Sequence, residues 1–523
     1  MKPIKLKLPI LIIIGAGVFI RLAYILSPPE KLITIVPDDA FYYFKIAQNI
    51  ASGIGSSFDG INLTNGYHPA WMIVLLPLTL ATSQPWTLVR LGLFLAVLLN
   101  SLTAVLVYKF LENKTKSYYI ASAGTAIYFL NPKVIANNLN GLETSLASLA
   151  LMLIIILVDK KAIFKKTHSY VFLAILFGLC FLSRTDLVFY LAPLFFYVFY
   201  QVKTTEKNLK TTGKKMAVFS FSFLATILPW FGWNLLKFRT IFQSSANTVP
   251  FVLKNSYMQN GPSTTIVENS LRLSYHFFSK DLLPTMGFSY LWAIILLLIL
   301  VSCGLTKSRK LHVSNTNKRE LVFLLLLLIG GLGLSFVHVF FRWYPRPWYF
   351  DQLILITSLL VSFLMFLVAK TGSCLRNSII VMFVLITMAS GIKNVLRINE
   401  YPHQVEMLSS SEWLKNNINP NQIVVSFNSG ILGFFSDRTV VNLDGAVNQN
   451  AYLAIKKNQL WQIPKQLKAD YYIDYDPFMI DLYRPFLGES FSKNNLKLVK
   501  VINRPEVSWE GNNIKIYAVS KSK

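Results

Sequence analysis

Two adjacent carboxylates, Asp38 and Asp39, follow Pro37 and open the run P-D-D-A-F-Y-Y-F-K-I-A-Q-N-I. A carboxylate here could take a proton from an attacking hydroxyl, and the pair could hold a divalent metal, although no metal is required. Pro-Asp-Asp is equally a good helix start. Local sequence leaves both readings open. Tyr42 lies in the aromatic stretch that follows, and T-N-G-Y-H-P-A-W then brings His68 in front of Pro69. A single histidine at that place is more often structural, and no metal-ligand spacing surrounds it.

Further polar residues recur at the ends of apolar runs. In N-N-L-N-G-L-E-T-S-L, Glu143 and Thr144 open such a run. A carboxylate in a first helical turn is favoured by the helix dipole whether or not it has other work. S-R-T-D places Arg184 and Asp186 in a tight connection, where the arginine could make charge-assisted bonds to a phosphate while the aspartate orients it. F-R-W-Y-P-R-P-W-Y-F is the densest cationic and aromatic cluster: Arg342 and Arg346 suit a phosphate, Trp348 and Tyr349 the apolar face of a sugar ring. Trp and Tyr also form ordinary interfacial belts. Arg21, near the end of the first apolar run, is expected to snorkel.

The elements that must position these residues are helices in a bilayer. The chain has 523 residues, 53% hydrophobic and only 15% charged, with a net charge of +26. Such a charge on a soluble domain would suggest nucleic acid, but here the lysines fall in short gaps between apolar runs. Eleven runs approach the ~20 residues needed to span: near 8 to 26, 87 to 109, 118 to 131, 142 to 158, 169 to 183, 186 to 202, 216 to 236, 288 to 305, 321 to 341, 348 to 369 and 378 to 395. Alternate connections are rich in lysine, as at Lys109/Lys114/Lys116, Lys160/Lys161/Lys165/Lys166 and Lys203/Lys207/Lys210/Lys214/Lys215. The positive-inside rule puts these in the cytoplasm, and the loop 28 to 86, the connection 132 to 141, Arg184 and the tail from 396 on the other side. Trp71 to Ser83 must then lie in the outer interface, with Trp71 and Trp86 as anchors, since a full crossing would invert every later loop. The first run is expected to stay as an anchor. Cys180, Cys303 and Cys374 show no disulfide or metal pattern.

After Tyr401 the composition changes. Residues 404 to 418 read as a helix, and QIVVSF, TVVNLD and DYYIDYD as short buried strands of a small α/β domain. In S-D-R-T-V-V-N-L-D-G-A-V-N, Asn442, Asp444 and Gly445 could shape an acceptor surface, and a strand ending in an Asp-Gly turn explains them equally well.

The order of these features resembles the GT-C superfamily of membrane glycosyltransferases, above all bacterial relatives of the protein mannosyltransferase and lipid A aminoarabinose transferase group. The matching features are a first span, an acidic pair in a long outer loop, an interfacial helix opening with H-P-A-W, many spans and an outer domain. The resemblance covers nearly the whole chain. It implies an all-α polytopic membrane bundle over 1–400, with the catalytic outer loop at 28–86 and an extracytoplasmic α/β domain over 401–523. It also implies a polyprenyl-phosphate sugar as donor, a glycan, lipid or protein hydroxyl as acceptor, membrane lipids as surroundings and inversion of the anomeric centre. By resemblance Asp38, with Asp39 beside it, supplies the base, and Glu143 lies near it in a G-x-E-T segment. Arg184 falls in an L-x-R-x-D/E pattern and, with Arg342 and Arg346, would hold the donor phosphate. Tyr42, His68, Trp348 and Tyr349 would line the substrates. No nucleotide-binding loop is present. A flippase for lipid-linked sugars would place charges at mid-membrane. A glycan polymerase or ligase shares the substrates, and a scaffold would not need the acidic pair.

Overall fold

A computed structural model describes residues 7–164, 166–206, 208–260, 315–340, 346–369, 398–489, 491–509 and 511–520. The expected spans at 288 to 305 and 378 to 395, with Arg342, Cys303 and Cys374, lie outside them. The N-terminal part comprises α1 (Leu8–Ile25), α2 (Pro29–Leu32), α3 (Asp38–Ala51), α4 (Pro69–Ala81), α5 (Pro85–Thr115), α6 (Tyr118–Phe129), α7 (Pro132–Asn138) and α8 (Thr144–Asp159). It continues with α9 (Thr167–Ser183), α10 (Val188–Glu206), α11 (Leu209–Phe238), α12 (Ser244–Asn260), α13 (Asn315–Phe340) and α14 (Asp351–Ala369). Among the described residues, six helices are long and apolar enough to cross a membrane: Leu8–Ile25, Pro85–Thr115, Thr185–Glu206, Leu209–Phe238, Asn317–His338 and Pro347–Leu367. The three other expected spans that lie among the described residues form shorter helices. The run 118 to 131 stops early because Asn131 precedes Pro132, which disfavours helical backbone, and its side chain instead caps α7 by accepting Lys133 N–H at 2.9 Å.

Contacts sort the connections into two groups as the lysine pattern expects. At one end Lys114 pairs with Asp159 and, at 2.7 Å, with Glu320. Lys215 there bonds Glu206 at 2.5 Å and the Phe164 carbonyl at 2.8 Å. At the other end Lys133 pairs with Glu400 at 2.8 Å, and Asn137 donates to the Pro347 carbonyl at 3.3 Å.

Two expectations for single residues are corrected. Arg21 does not snorkel: it is fully buried, donating to Asn138 Oδ1 at 2.7 Å, Asn100 Oδ1 at 3.0 Å and the Gly17 and Phe129 carbonyls. Four acceptors inside the bundle replace the water it would otherwise have to reach. Trp71 is not an interfacial anchor either. It is buried with its indole N–H on the Gly141 carbonyl at 3.1 Å, while Trp86 packs on Phe435 at 4.6 Å between ring centroids.

The C-terminal part holds α15 (Gln404–Asn417), β1 (Ile423–Ser426), α16 (Gly430–Phe435), β2 (Thr439–Asn442), α17 (Gln449–Lys456), β3 (Tyr471–Tyr475), β4 (Leu496–Ile502) and β5 (Ile514–Val519). The sheet order is β2-β1-β3-β5-β4, the first three parallel and the last two antiparallel. Val424 sits opposite both Val440 and Tyr471. Because successive side chains alternate between faces, Val424, Val440 and Ile473 join the core built on Phe41, Phe44 and Trp71, whereas Val425, Val441 and Tyr472 pack with Trp461 on the other face. One face of the sheet is thus continuous with the first loop.

Candidate active site

Asp38 and Asp39 occupy the first turn of α3 behind Pro37, which supplies no side-chain cap. They face different surroundings. Asp38 reaches the C-terminal domain: Gly430 N–H donates to its Oδ2 at 3.0 Å and Ile431 N–H to its Oδ1 at 2.7 Å. These are the first two amides of α16, whose own N-cap residue Ser429 makes no side-chain cap bond. Burial nevertheless outweighs those two bonds and, with Asp39 and Asp474 also contributing, pushes the Asp38 carboxyl up to about 7. Asp39 is exposed, and among the described residues no donor occupies it. Burial by the surrounding protein raises its pKa, Arg346 opposes that, and Glu143 adds to it.

Glu143 stands at the start of α8, itself buried. Its Oε1 accepts Arg184 Nη1 at 3.1 Å and lies 3.8 Å from His68 Nε2, while its buried Oε2 has no hydrogen-bond partner among the described residues. Arg184, buried between α9 and α10, holds Asp186 in a two-point contact, Nε to Oδ1 at 3.1 Å and Nη2 to Oδ2 at 2.5 Å. Its guanidinium also lies 5.1 Å above the Tyr349 ring. All three of its nitrogens are therefore directed to protein carboxylates, which fixes Glu143 in place.

His68 is oriented by a chain of bonds. Gln243 Nε2 donates to the Tyr67 carbonyl at 3.2 Å, which pins the amide, and meets His68 Nδ1 at 3.0 Å. Nδ1 is then the acceptor, and the ring proton sits on Nε2, facing Glu143. Burial lowers the pKa of His68, so the imidazole is neutral near pH 7. Its backbone N–H donates to Tyr43 Oη at 3.0 Å.

On the bundle side Arg346 is exposed, 5.8 Å from the ring centroid of the buried Trp348. Tyr349 is half-buried beneath Arg184. On the domain side Tyr42 Oη accepts from Asn442 Nδ2 at 3.2 Å and meets Ser429 Oγ at 3.3 Å, so this hydroxyl ties α3 to the loops after β1 and β2. Asp444 accepts Ala446 N–H at 2.7 Å, and burial, with Asp39 and Asp38 adding to it, pushes its carboxyl up to about 7. The turn around it is wedged in place: Ser244 donates to the Ala446 carbonyl at 2.7 Å and Thr248 to the Gly445 carbonyl at 3.1 Å. A Cβ on Gly66 would meet that Ala446 oxygen at 2.1 Å.

Asp39 is thus bordered by Glu143 and Arg346, and the turn after β2 brings Asp444 near Asp39 and Asp38. Asp38, Arg184 and Tyr42 lie in the same region but are engaged with protein groups. Gln404, Gln243 and the α16 amides carry no sequence signal, because their partners are distant in the chain. Among the described residues no three His, Cys, Asp or Glu side chains gather as a metal site.

A family model described as "Domain of unknown function (DUF8728)" matches residues 394–517, the sheet domain. No curated protein matches the chain. Among solved structures, the chain is similar to "ArnT from Cupriavidus metallidurans bound to Undecaprenyl phosphate", 11% identical over 97% of both chains with a TM-score of 0.46. It is similar to the same protein in the apo state with a TM-score of 0.42, again 11% identical over 97% of both chains.

Proposed function

We propose that the chain is a membrane glycosyltransferase of the GT-C type, moving a sugar from a polyprenyl-phosphate donor to an acceptor hydroxyl at the non-cytoplasmic face. The observation that carries this reading is Asp39: an exposed, partly desolvated carboxylate faced by the cationic Arg346 and bordered by the buried Glu143. In the reaction the acceptor oxygen forms a bond to the anomeric carbon while Asp39 takes its proton. The bond from that carbon to the phosphate oxygen breaks, and polyprenyl phosphate leaves with the electron pair. In this reading Arg346 supplies the cation for that departing charge, and Arg342 is its neighbour in sequence. Attack opposite the leaving group inverts the centre. Tyr349, half-buried, offers ring surface to the sugar, and Glu143, held by Arg184, offers its unpaired Oε2 to a donor hydroxyl.

A transporter would need polar groups near the bilayer midplane. The buried cluster of Arg21, Asn100, Asn138, Ser148 and Asp351 is satisfied internally. Arg21 also lies four residues from the end of α1, about 6 Å at 1.5 Å per residue. Both features favour the enzyme. The test is transfer from a polyprenyl-phosphate sugar by purified wild-type protein and Asp39→Asn. The variant should lose roughly 10² to 10⁴-fold in turnover while remaining folded; near-normal turnover in Asp39→Asn would reject this base.

A further inference from the structure

Residues 33 to 38 and the C-terminal domain are joined by one reciprocal set of bonds. The Asp38 N–H donates to Gln404 Oε1 at 2.8 Å, and Gln404 Nε2 donates to the Ile33 and Val36 carbonyls at 2.5 and 2.6 Å. One buried side chain on α15 thus satisfies three backbone groups just ahead of α3, and its two carbonyl partners fix the orientation of the amide. In the other direction the Asp38 carboxylate caps α16 through Gly430 and Ile431. The approach is so close that a Cβ on Gly430 would lie 2.2 Å from the Asp38 carbonyl oxygen. Tyr42, one turn along α3, holds Ser429 and Asn442, and Asn442 Oδ1 accepts Gly445 N–H at 3.0 Å beside Asp444.

We infer that Asp38 is a positioning residue: with Gln404 it docks the C-terminal domain on the first loop, so that the turn carrying Asp444 completes the acceptor side of the site opposite Asp39. This rests on the transfer reading above. Both Asp38 oxygens already accept N–H groups of the C-terminal domain, so this carboxyl group is committed to the dock. Asp39, the next residue, accepts no such bond among the described residues. Division of labour between neighbours follows: Asp39 reacts, and Asp38 decides where the second wall stands. A shift of the dock moves Asp444 relative to Asp39.

The full-length protein in detergent provides two independent readouts. Hydrogen exchange of peptides covering 427–436 reports the dock directly, and initial rates report KM for acceptor and kcat separately. Asp38→Ala and Gln404→Ala should each raise that exchange by roughly tenfold, as expected for loss of a charge-assisted or buried bond. In the double variant the effects should be clearly less than additive, since both changes open one contact. Acceptor KM should rise roughly tenfold with kcat changed less than about threefold, the signature of altered positioning. Asp38→Asn keeps one acceptor oxygen and should fall between wild type and Asp38→Ala, whereas Asp39→Asn should leave the exchange unchanged and remove turnover. Unchanged exchange in Asp38→Ala would overturn the dock. Raised exchange with unaltered acceptor KM, or loss of kcat alone, would overturn the positioning role. Full turnover in Asp39→Asn beside raised exchange in Asp38→Ala would reject the transfer reading while still supporting the dock.

Discussion

Asp38 and Asp39 share a turn, a residue type and a preceding proline, yet one carboxylate accepts two amides from 392 and 393 residues away and the other faces solvent and Arg346. The sequence shows that an acidic pair is present, and both readings of it have a counterpart: Asp38 caps a helix, though not its own. Which residue does which could not be read, because the cap partners are tertiary. The raised carboxyls also give a pH prediction. Burial holds Asp38 and Asp444 at about 7 and raises Asp39, so between the unfolded value of 3.8 and about 7 the folded state binds more protons than the unfolded chain. Stability contributed by these groups is therefore highest at acid pH and falls as pH rises through that window. Transfer should run the other way, since a base must be ionised. The acid limb of activity should be displaced upward from that of an ordinary carboxylate, and unfolding temperature between pH 5 and 8 should decline less steeply in Asp444→Asn than in wild type. An acid limb near pH 4 would contradict the raised Asp39.

At the scale of elements, helices were legible wherever apolar runs were long, and their broken ends were not. The run 118 to 131 ends at Asn131-Pro132, and the connection expected at 132 to 141 forms a helix of its own, α7, which delivers Asn137 and Asn138 to Asp351 and Arg21. Two strands were missed in the tail, although L-K-L-V-K-V-I and I-K-I-Y-A-V both alternate as half-exposed strands do. The connection holding Arg184 shows what an element boundary can do here: one guanidinium bridges the α9–α10 turn to the start of α8. Removing it leaves Glu143 and Asp186 buried or half-buried without their counter-charge. Arg184→Ala should destabilise the protein by about 3 to 5 kcal/mol, the range for breaking a buried pair, read as a drop in unfolding temperature. Arg184→Lys keeps a charge but lacks the fork, so it should recover only part of the stability. A variant as stable as wild type would mean that the three bonds are not maintained.

For the whole molecule, lysine alternation predicts which connections share a side, and the ion pairs group them in the same way: Lys114 with Asp159 and Glu320, Lys133 with Glu400. What sequence could not supply is the distance across a side. The structure closes the first loop on the tail so tightly that Asn450 Nδ2 donates to Asn62 Oδ1 at 2.9 Å, 388 residues apart. The resulting prediction needs a background lacking Cys180, Cys303 and Cys374, into which Asn62→Cys and Asn450→Cys are placed singly and together. Both single cysteines should react with a membrane-impermeant maleimide added to intact cells. Lys116→Cys and Lys210→Cys, both exposed at the lysine-rich end, should react only after permeabilisation. In the paired variant a short bifunctional maleimide should join the two positions within one chain, because a direct hydrogen bond leaves no room for an intervening element. Labelling of positions 62 and 450 from opposite sides would overturn the topology. Same-side labelling without cross-linking would keep the topology but separate the domain from the loop, and the site at the carboxyl ends of β1 and β2 would then lose its second wall.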